Sequence, residues 1–369
     1  MKKVFIAGTF DIIHPGHLSL IKQARELGDF LVAVIARDKQ VVRTKGREPY
    51  FNEDQRLKQL KKLGLIDKVI LGDLTDQLVP VKKELPDIIA LGYDQDLAVK
   101  EKLIKEGLKI KVKVLKPFKA DVCKSRNIRK AFEDNQAGFL LIKKQEGWTS
   151  HDVVAKLRTI LQIKQIGHTG TLDPMATGLL ICAVNKATKM IGLFDALPKT
   201  YEAEIKLGIT SDTFDRTGKL KITNESIKIS KAEIIRALKT FSGRQSQLPP
   251  MYSAKKVNGQ RLYKLARKGL EVKRQTSEIE IYNIRLLSFK NNILKIRVVC
   301  SAGTYIRTLA HDLGQNLKTG AVLNELSRTA IGNFKLAQAV SLTKLTKNNY
   351  SKYLIKPEDG FKFILCHVS

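Results

Sequence analysis

For its first 136 residues the chain alternates short, wholly apolar runs with stretches of helical periodicity, and that alternation admits few folds. Val4-Phe5-Ile6-Ala7 ends at Gly8, the look of a strand buried on both faces of a parallel sheet. Leu18 to Leu27 carries helical spacing, with Gly28 expected as the left-handed residue that ends it. Phe30–Ala36 reads as the next strand and Glu53–Leu63 as a helix. Val69–Leu71, Ile88–Leu91 and Lys111–Leu115 read as further strands. The pattern predicts an α/β domain on a parallel, Rossmann-like sheet.

After a helix over Ser125–Glu133 the pattern changes. Asn135-Gln136-Ala137-Gly138 is a polar, glycine-containing break, and it separates a domain over 1–136 from one over 137–369. Beyond it the strands are longer and often polar at alternate positions, as in Tyr201–Leu207, Glu278–Phe289 and Leu294–Cys300. Asn291-Asn292 suits a hairpin turn between the last two. Helices are expected at Asp152–Leu161, Lys231–Phe241 and Tyr305–Leu317. The second domain therefore reads as α+β on a mainly antiparallel sheet.

Charge narrows the partners. The chain has 66 Lys and Arg against 36 Asp and Glu, a formal +30. Residues 1–140 hold 28 basic and 19 acidic side chains, residues 141–369 hold 38 and 17. The surplus suits a polyanion, with nucleic acid foremost and a merely solvated basic surface as the other reading. Cys123, Cys182, Cys300 and Cys366 lie far apart without a CxxC pair, which excludes a zinc ribbon and speaks against a disulfide scaffold. Val4–Ala7 is too short for a signal segment, and no apolar run reaches membrane length. A cytoplasmic protein with no membrane partner is expected.

Gly8-Thr9-Phe10-Asp11 sits where the first strand ends, and His14-Pro15-Gly16-His17 opens the first helix. Backbone N–H groups and the helix dipole converge on phosphates at such a junction. Two imidazoles three residues apart point the same way, each able to donate to a phosphate oxygen. A pair of surface histidines beside an ordinary turn is the blander reading. The whole GTFDxxHPGH string resembles the cytidylyltransferase-like nucleotidyltransferases, with His14, Gly16 and His17 matching their HxGH motif. Arg43–Arg47 and Leu91-Gly92-Tyr93-Asp94-Gln95 look most like the archaeal-type FAD synthases within that group.

That resemblance implies transfer of AMP or CMP from ATP or CTP, with Mg2+, to a phosphate acceptor. The acceptor would be FMN or a polyol or amino-alcohol phosphate. His14 and His17 would be catalytic, and Gly8, Thr9, Phe10, Asp11, Lys45, Tyr93 and Ser125 would bind nucleotide. The family's late Ser/Thr-rich turn is reduced here to Cys123-Lys124-Ser125-Arg126. Either Arg126 supplies the missing contact or activity is weakened.

In the second domain, Gly167-His168-Thr169-Gly170-Thr171-Leu172-Asp173-Pro174-Met175-Ala176-Thr177-Gly178 is a loop by composition. An Asx turn closed by Asp173 would explain it alone. Ser301–Thr308 follows a strand and opens a helix, where Gly303-Thr304 suits a cap. Basic and aromatic residues interleave in Met251–Lys256 and Gln260–Lys264, as phosphate contact and base stacking require, though a helix inner face would look similar. Together with Lys199-Thr200-Tyr201 and Leu326–Arg328, these stretches resemble the TruB-type tRNA pseudouridine(55) synthases, in order and spacing, from about Gly138 to Phe334.

The resemblance implies isomerisation of the T-loop uridine of tRNA without a cofactor. Asp173 would be the catalytic aspartate, Arg307 its partner, and Tyr201 would pack on the base and move a proton. His168 would hold the flipped nucleotide, and Tyr305 and Leu326 would line the base pocket. A carboxylate in that place acts as nucleophile or stabilises a detached intermediate. A buried carboxylate needs a counter-charge to stay ionised. The 35 residues after Phe334 are too few for the PUA module that members commonly add. Three readings follow: a bifunctional enzyme, a synthase whose N-terminal domain only binds nucleotide, or chiefly a tRNA-folding protein.

Overall fold

A computed structural model describes residues 1–365 apart from 96, 119–124, 224–226, 254, 258, 267–268 and 271. The chain forms two compact units, Met1–Ala137 and Gly138–His367. In the first, β1 (Lys3–Gly8), β2 (Phe30–Ile35), β3 (Lys68–Leu71), β4 (Ile88–Leu91) and β5 (Lys111–Val114) make one parallel sheet. Its order is β3-β2-β1-β4-β5. Helices α1 (Pro15–Arg25), α2 (Asp38–Lys45), α3 (Glu53–Lys62), α4 (Val79–Glu84), α5 (Ala98–Lys105) and α6 (Ser125–Phe132) connect and follow the strands. The chain leaves β1 in one direction and returns to its other side at β4, so a crevice opens beyond the carboxyl ends of these two strands.

Gly28 differs from expectation. Helix α1 closes at Glu26 in ordinary helical geometry (φ −67°), and a Cβ on Gly28 would stand 2.5 Å from Lys2 O. The glycine serves a close approach of two chain segments, where the amides of Asp29 and Phe30 both donate to Lys2 O.

The second unit begins with β6 (Gly138–Lys144), α7 (Ser150–Leu161), β7 (Ile166–His168), β8 (Thr177–Val184) and β9 (Lys199–Leu207). A small hairpin, β10 (Ile209–Ser211) and β11 (Leu220–Ile222), precedes α8 (Lys231–Lys239) and β12 (Gly243–Gln247). Then come β13 (Lys256–Val257), β14 (Gln260–Arg261), α9 (Leu262–Ala266), β15 (Ser277–Lys290) and β16 (Ile293–Cys300). Helix α10 (Ile306–Asn316), β17 (Ala321–Ile331), β18 (Phe334–Lys335) and α11 (Pro357–Leu365) complete it. The main sheet runs β12-β15-β16-β9-β17-β8-β6, with β7 added on β8 and β18 on β17. Every pairing is antiparallel except β17 with β8.

Asn291 and Asn292 take the left-handed conformation (φ 52° and 59°) that a two-residue hairpin turn demands. Strict alternation along β9 buries Tyr201, Ala203, Ile205 and Leu207 on one face, against Ile296 and Val298 of β16 and Leu309 and Leu313 of α10. A second cluster packs Val153, Val154 and Leu157 of α7 on Leu140, Leu180 and Cys182. No helix among the described residues is long and apolar enough to cross a membrane.

Candidate active sites

In the first unit the strand-to-helix junction lines a cavity of about 690 Å³. His14 is the extended N-cap of α1 and Pro15 its first helical residue. One turn apart, the rings of His14 and His17 stack at 3.9 Å with 22° between planes. Phe10, left-handed at φ 47° and buried, tilts against His17 at 5.3 Å. Burial holds His14 well below the ordinary imidazole range and His17 down to about 4, so both rings are neutral at neutral pH. They offer hydrogen bonds, and Lys45 brings a positive charge to this junction. Its ammonium donates to Thr9 Oγ1 at 2.8 Å. Burial and the neighbouring Arg47 lower its pKa.

Tyr93, 44% exposed, and Ser125 at the start of α6 also line the cavity. Cys123 and Lys124 lie outside the described residues. Asp11 has a clasping role: its carboxylate accepts from the amides of Tyr50 and Phe51 at 2.8–3.0 Å. Sequence reasoning missed Arg56, which is fully buried, pairs with Asp38, and donates to the carbonyls of Phe51, Thr9 and Ala36. It thereby fixes the ends of β1 and β2 where the cavity opens. Gln95 does the same after β4, donating to Ala7 O and accepting from Gly92 N at 2.7 Å each.

In the second unit the structure brings Asp173, Arg307, Tyr201, Tyr305 and Leu326 to one place. Asp173 sits on the loop between β7 and β8, turned by a bond from Ala176 N to its own carbonyl. Arg307 Nε lies 2.8 Å from Asp173 Oδ2, and Nη2 donates to Oδ1 at 3.1 Å. The arginine is buried while a third of the aspartate side chain is exposed, so the carboxylate remains within reach of a ligand. Arg307 also meets Asp215, 3.5 Å from Nη1. Burial raises the Asp173 pKa, Arg307 pulls it back, and Asp215 pushes it up. Leu172, Met175, Tyr201 and Leu326 belong to one buried apolar cluster. Burial also raises the phenols of Tyr201 and Tyr305. His168 ends β7 beside the loop, and burial, with the Arg328 charge, lowers its pKa.

Three supporting residues escaped sequence reasoning, and a fourth, Arg328, was read only as the end of the Leu326–Arg328 stretch, without a role. Lys144 is buried and donates to Gln145 O (2.9 Å), Pro174 O (3.2 Å) and Ala176 O (2.6 Å). Burial lowers its pKa to about 8. Ser150 accepts from Leu172 N at 2.8 Å and donates to Leu172 O at 3.3 Å. These two side chains grip the loop on either side of Asp173. Asp215 takes three hydrogen bonds on Oδ1 from Thr213 and Thr217, which leaves Oδ2 facing Arg307. Arg328 is buried in β17. Ala254 and the side chains of Arg261, Tyr263 and Lys264, from the interleaved stretches, lie outside the described residues.

Residues 158–306 match the family model for the TruB family pseudouridylate synthase N-terminal domain, and residues 307–359 that for the tRNA pseudouridylate synthase B C-terminal domain. A curated relative named tRNA pseudouridine synthase B, from Clostridium kluyveri, is 45% identical over 218 residues, 59% of this chain and 75% of the relative. The chain belongs to the TruB family. A relative of the same name from Geobacter sulfurreducens is 44% identical over 227 residues, covering 60% of this chain and 75% of its own. Among solved structures, a chain of a Cbf5-Nop10-Gar1 complex is 29% identical with a TM-score of 0.49 over 64% of each chain. Residues 5–154 match the cytidylyltransferase-like family, so this TruB enzyme carries a second domain type ahead of its pseudouridine synthase. That match runs past Ala137 into β6 and the start of α7, which pack within the second unit.

Proposed function

We propose that the second unit isomerises the T-loop uridine of tRNA, at position 55, to pseudouridine. The ion pair of an accessible Asp173 with a buried Arg307, beside Tyr201 and Leu326, carries this reading. The name shared by the Clostridium and Geobacter relatives supports tRNA as the substrate. The base leaves C1′, turns and rejoins through C5; no atom is gained or lost, so no cofactor is called for. Asp173 acts at the sugar or base as nucleophile or counter-charge, and Arg307 keeps it ionised. The apolar side chains receive the flipped base, with Tyr305 and His168 at its edge. The experiment is release of tritium from C5-labelled uridine in a T-stem-loop RNA. Turnover equal at every loop uridine, or none at all, would sink the assignment to position 55.

Residues 1–136 we assign to nucleotidyl transfer from ATP or CTP to a phosphate acceptor, FMN or a polyol or amino-alcohol phosphate. Neutral His14 and His17 would donate to the phosphates and Lys45 would offset their charge. Mg2+ would arrive on the triphosphate, whose oxygens supply ligands, since no cluster of three His, Cys, Asp or Glu exists among the described residues. The lone hydroxyl of Ser125 at the α6 turn favours a second reading, in which this domain binds nucleotide without turnover. Pyrophosphate release with each nucleotide and acceptor separates the two. A cytoplasmic place suits both reactions.

A further inference from the structure

Helix α10 carries Arg307 in its first turn, and by local chemistry that turn is a poor place for a helix to begin. Its N-cap is Tyr305, an aromatic residue whose side chain makes no capping bond, and the first turn holds no acidic residue. It holds instead the Arg307 cation, which the positive end of a helix dipole opposes. Helices α3, α7 and α8 of the same chain begin on Asn52, Thr149 and Ser230, each closed by a capping box. In α3 the Gln55 side chain accepts from the amide of its own N-cap, Asn52, at 3.1 Å.

At α10 the same kind of bond comes from a strand. Gln247, the last residue of β12, is 6% exposed. Its Oε1 accepts from Tyr305 N at 2.8 Å, and its Nε2 donates to Tyr305 O at 3.0 Å. One carboxamide thus holds both backbone groups of the N-cap residue, whose carbonyl also takes the first helical bond, from Leu309 N. Thr308, the position that would complete a local box, turns its hydroxyl to Leu248 O at 3.5 Å instead. Gln247 is itself fixed, since it pairs with Ser277 of β15. Two residues beyond Tyr305, the Arg307 guanidinium meets Asp173, Asp215 and Tyr252 O.

We propose that Gln247 is a positioning residue for pseudouridine formation, which anchors the first turn of α10 from β12 and so sets where the Arg307 guanidinium meets Asp173. This rests on the reading of Asp173 and Arg307 as the working pair. Tyr305 and Arg307 stand where the cleft needs them and a helix start does not, and a buried amide from a neighbouring strand offsets the loss. When that amide is removed the turn loosens, and Arg307 moves with it.

The test uses the full chain and tritium release from a C5-labelled T-stem-loop RNA. Gln247→Met keeps length and neutrality and removes both bonds. It should lower kcat by about tenfold with KM little changed, the scale of a sub-ångström misplacement. The charged groups that act on the Asp173 carboxylate are Arg307, Asp215 and Lys144, and of these only Arg307 belongs to α10. A displaced Arg307 leaves the carboxyl harder to ionise, so the acid limb of the kcat profile should move to higher pH. In an Arg307→Ala background, Gln247→Met should change neither kcat nor the limb further, because its effect passes through the arginine. Gln247→Asn keeps the amide one methylene short, should give the same signs at smaller size, and serves if the methionine variant does not fold. A folded variant with the wild-type kcat, a slowed kcat with the wild-type limb, or a loss that simply adds to that of Arg307→Ala would each overturn the proposal and make Gln247 a packing residue. An Arg307→Ala enzyme with the wild-type kcat and limb would remove the pair beneath it as well.

Discussion

One guanidinium shared by two carboxylates makes the second site's answer to pH a matter of single side chains. Asp173→Asn keeps the shape and deletes the charge, so pseudouridine formation should fall by more than about 10³-fold. Binding of the T-stem-loop should stay nearly constant, since affinity comes from many Lys and Arg contacts to phosphate. Proportional loss of binding and turnover would instead make Asp173 structural. Arg307→Ala removes the cation that pulls the Asp173 pKa down. The carboxylate must be ionised to act, so its acid limb should move to higher pH. Asp215→Asn removes a neighbour that pushes the same pKa up, and the limb should move to lower pH, with kcat reduced because Arg307 loses an anchor. Opposite shifts in the two pH profiles are the signature; shifts of the same sign would contradict the shared pair.

Among the elements, the loop from Thr169 to Ala176 depends on a close approach of β8 and β17. Gly178 has φ 111°, and its Cβ would strike Arg328 N, C and O at 2.4–2.9 Å. Gly178→Ala should destabilise the protein by about 3 kcal/mol through strain and overpacking, read by chemical denaturation. Strands β6, β8 and β17 of the main sheet were not read at all, while the elements that were legible from periodicity have ends within three residues of the observed ones. Helix α2 was not legible, because only Gln40 and Val41 are buried and no apolar stripe marks it. Lys144 and Arg328 were unreadable for another reason. A charged residue in a strand looks solvent-facing until the chain returns from 30 or 149 positions away to supply the carbonyls that solvate it. Gly28 misled because a close backbone contact and a helix stop use the same residue. Asp173, Tyr201 and Arg307 stood out through the motifs around them, while Lys144, Ser150 and Asp215, which hold the loop and Arg307 in place, lie outside those motifs.

At the scale of the molecule, each unit encloses its own candidate site. His14→Ala or His17→Ala should abolish nucleotidyl transfer and leave pseudouridine formation unchanged; equal loss of both would refute separable sites. Affinity for RNA should reside mainly in residues 137–369, where most of the basic surplus lies, and should fall steeply between low and high salt as counterions are released. A salt-insensitive complex would contradict that. The sheet orders bear also on how the chain is made. Every strand of the parallel sheet lies within residues 3–114, so that sheet is complete early in synthesis. In the other, residues 199–207 must wait for 321–331, and Thr177 and Gly178 for Ser327 and Arg328. On the ribosome, one half of the enzyme is folded while the other still lacks β17, the strand that joins β9 to β8, and nascent chains stalled before residue 321 should resist protease only up to the boundary near Ala137.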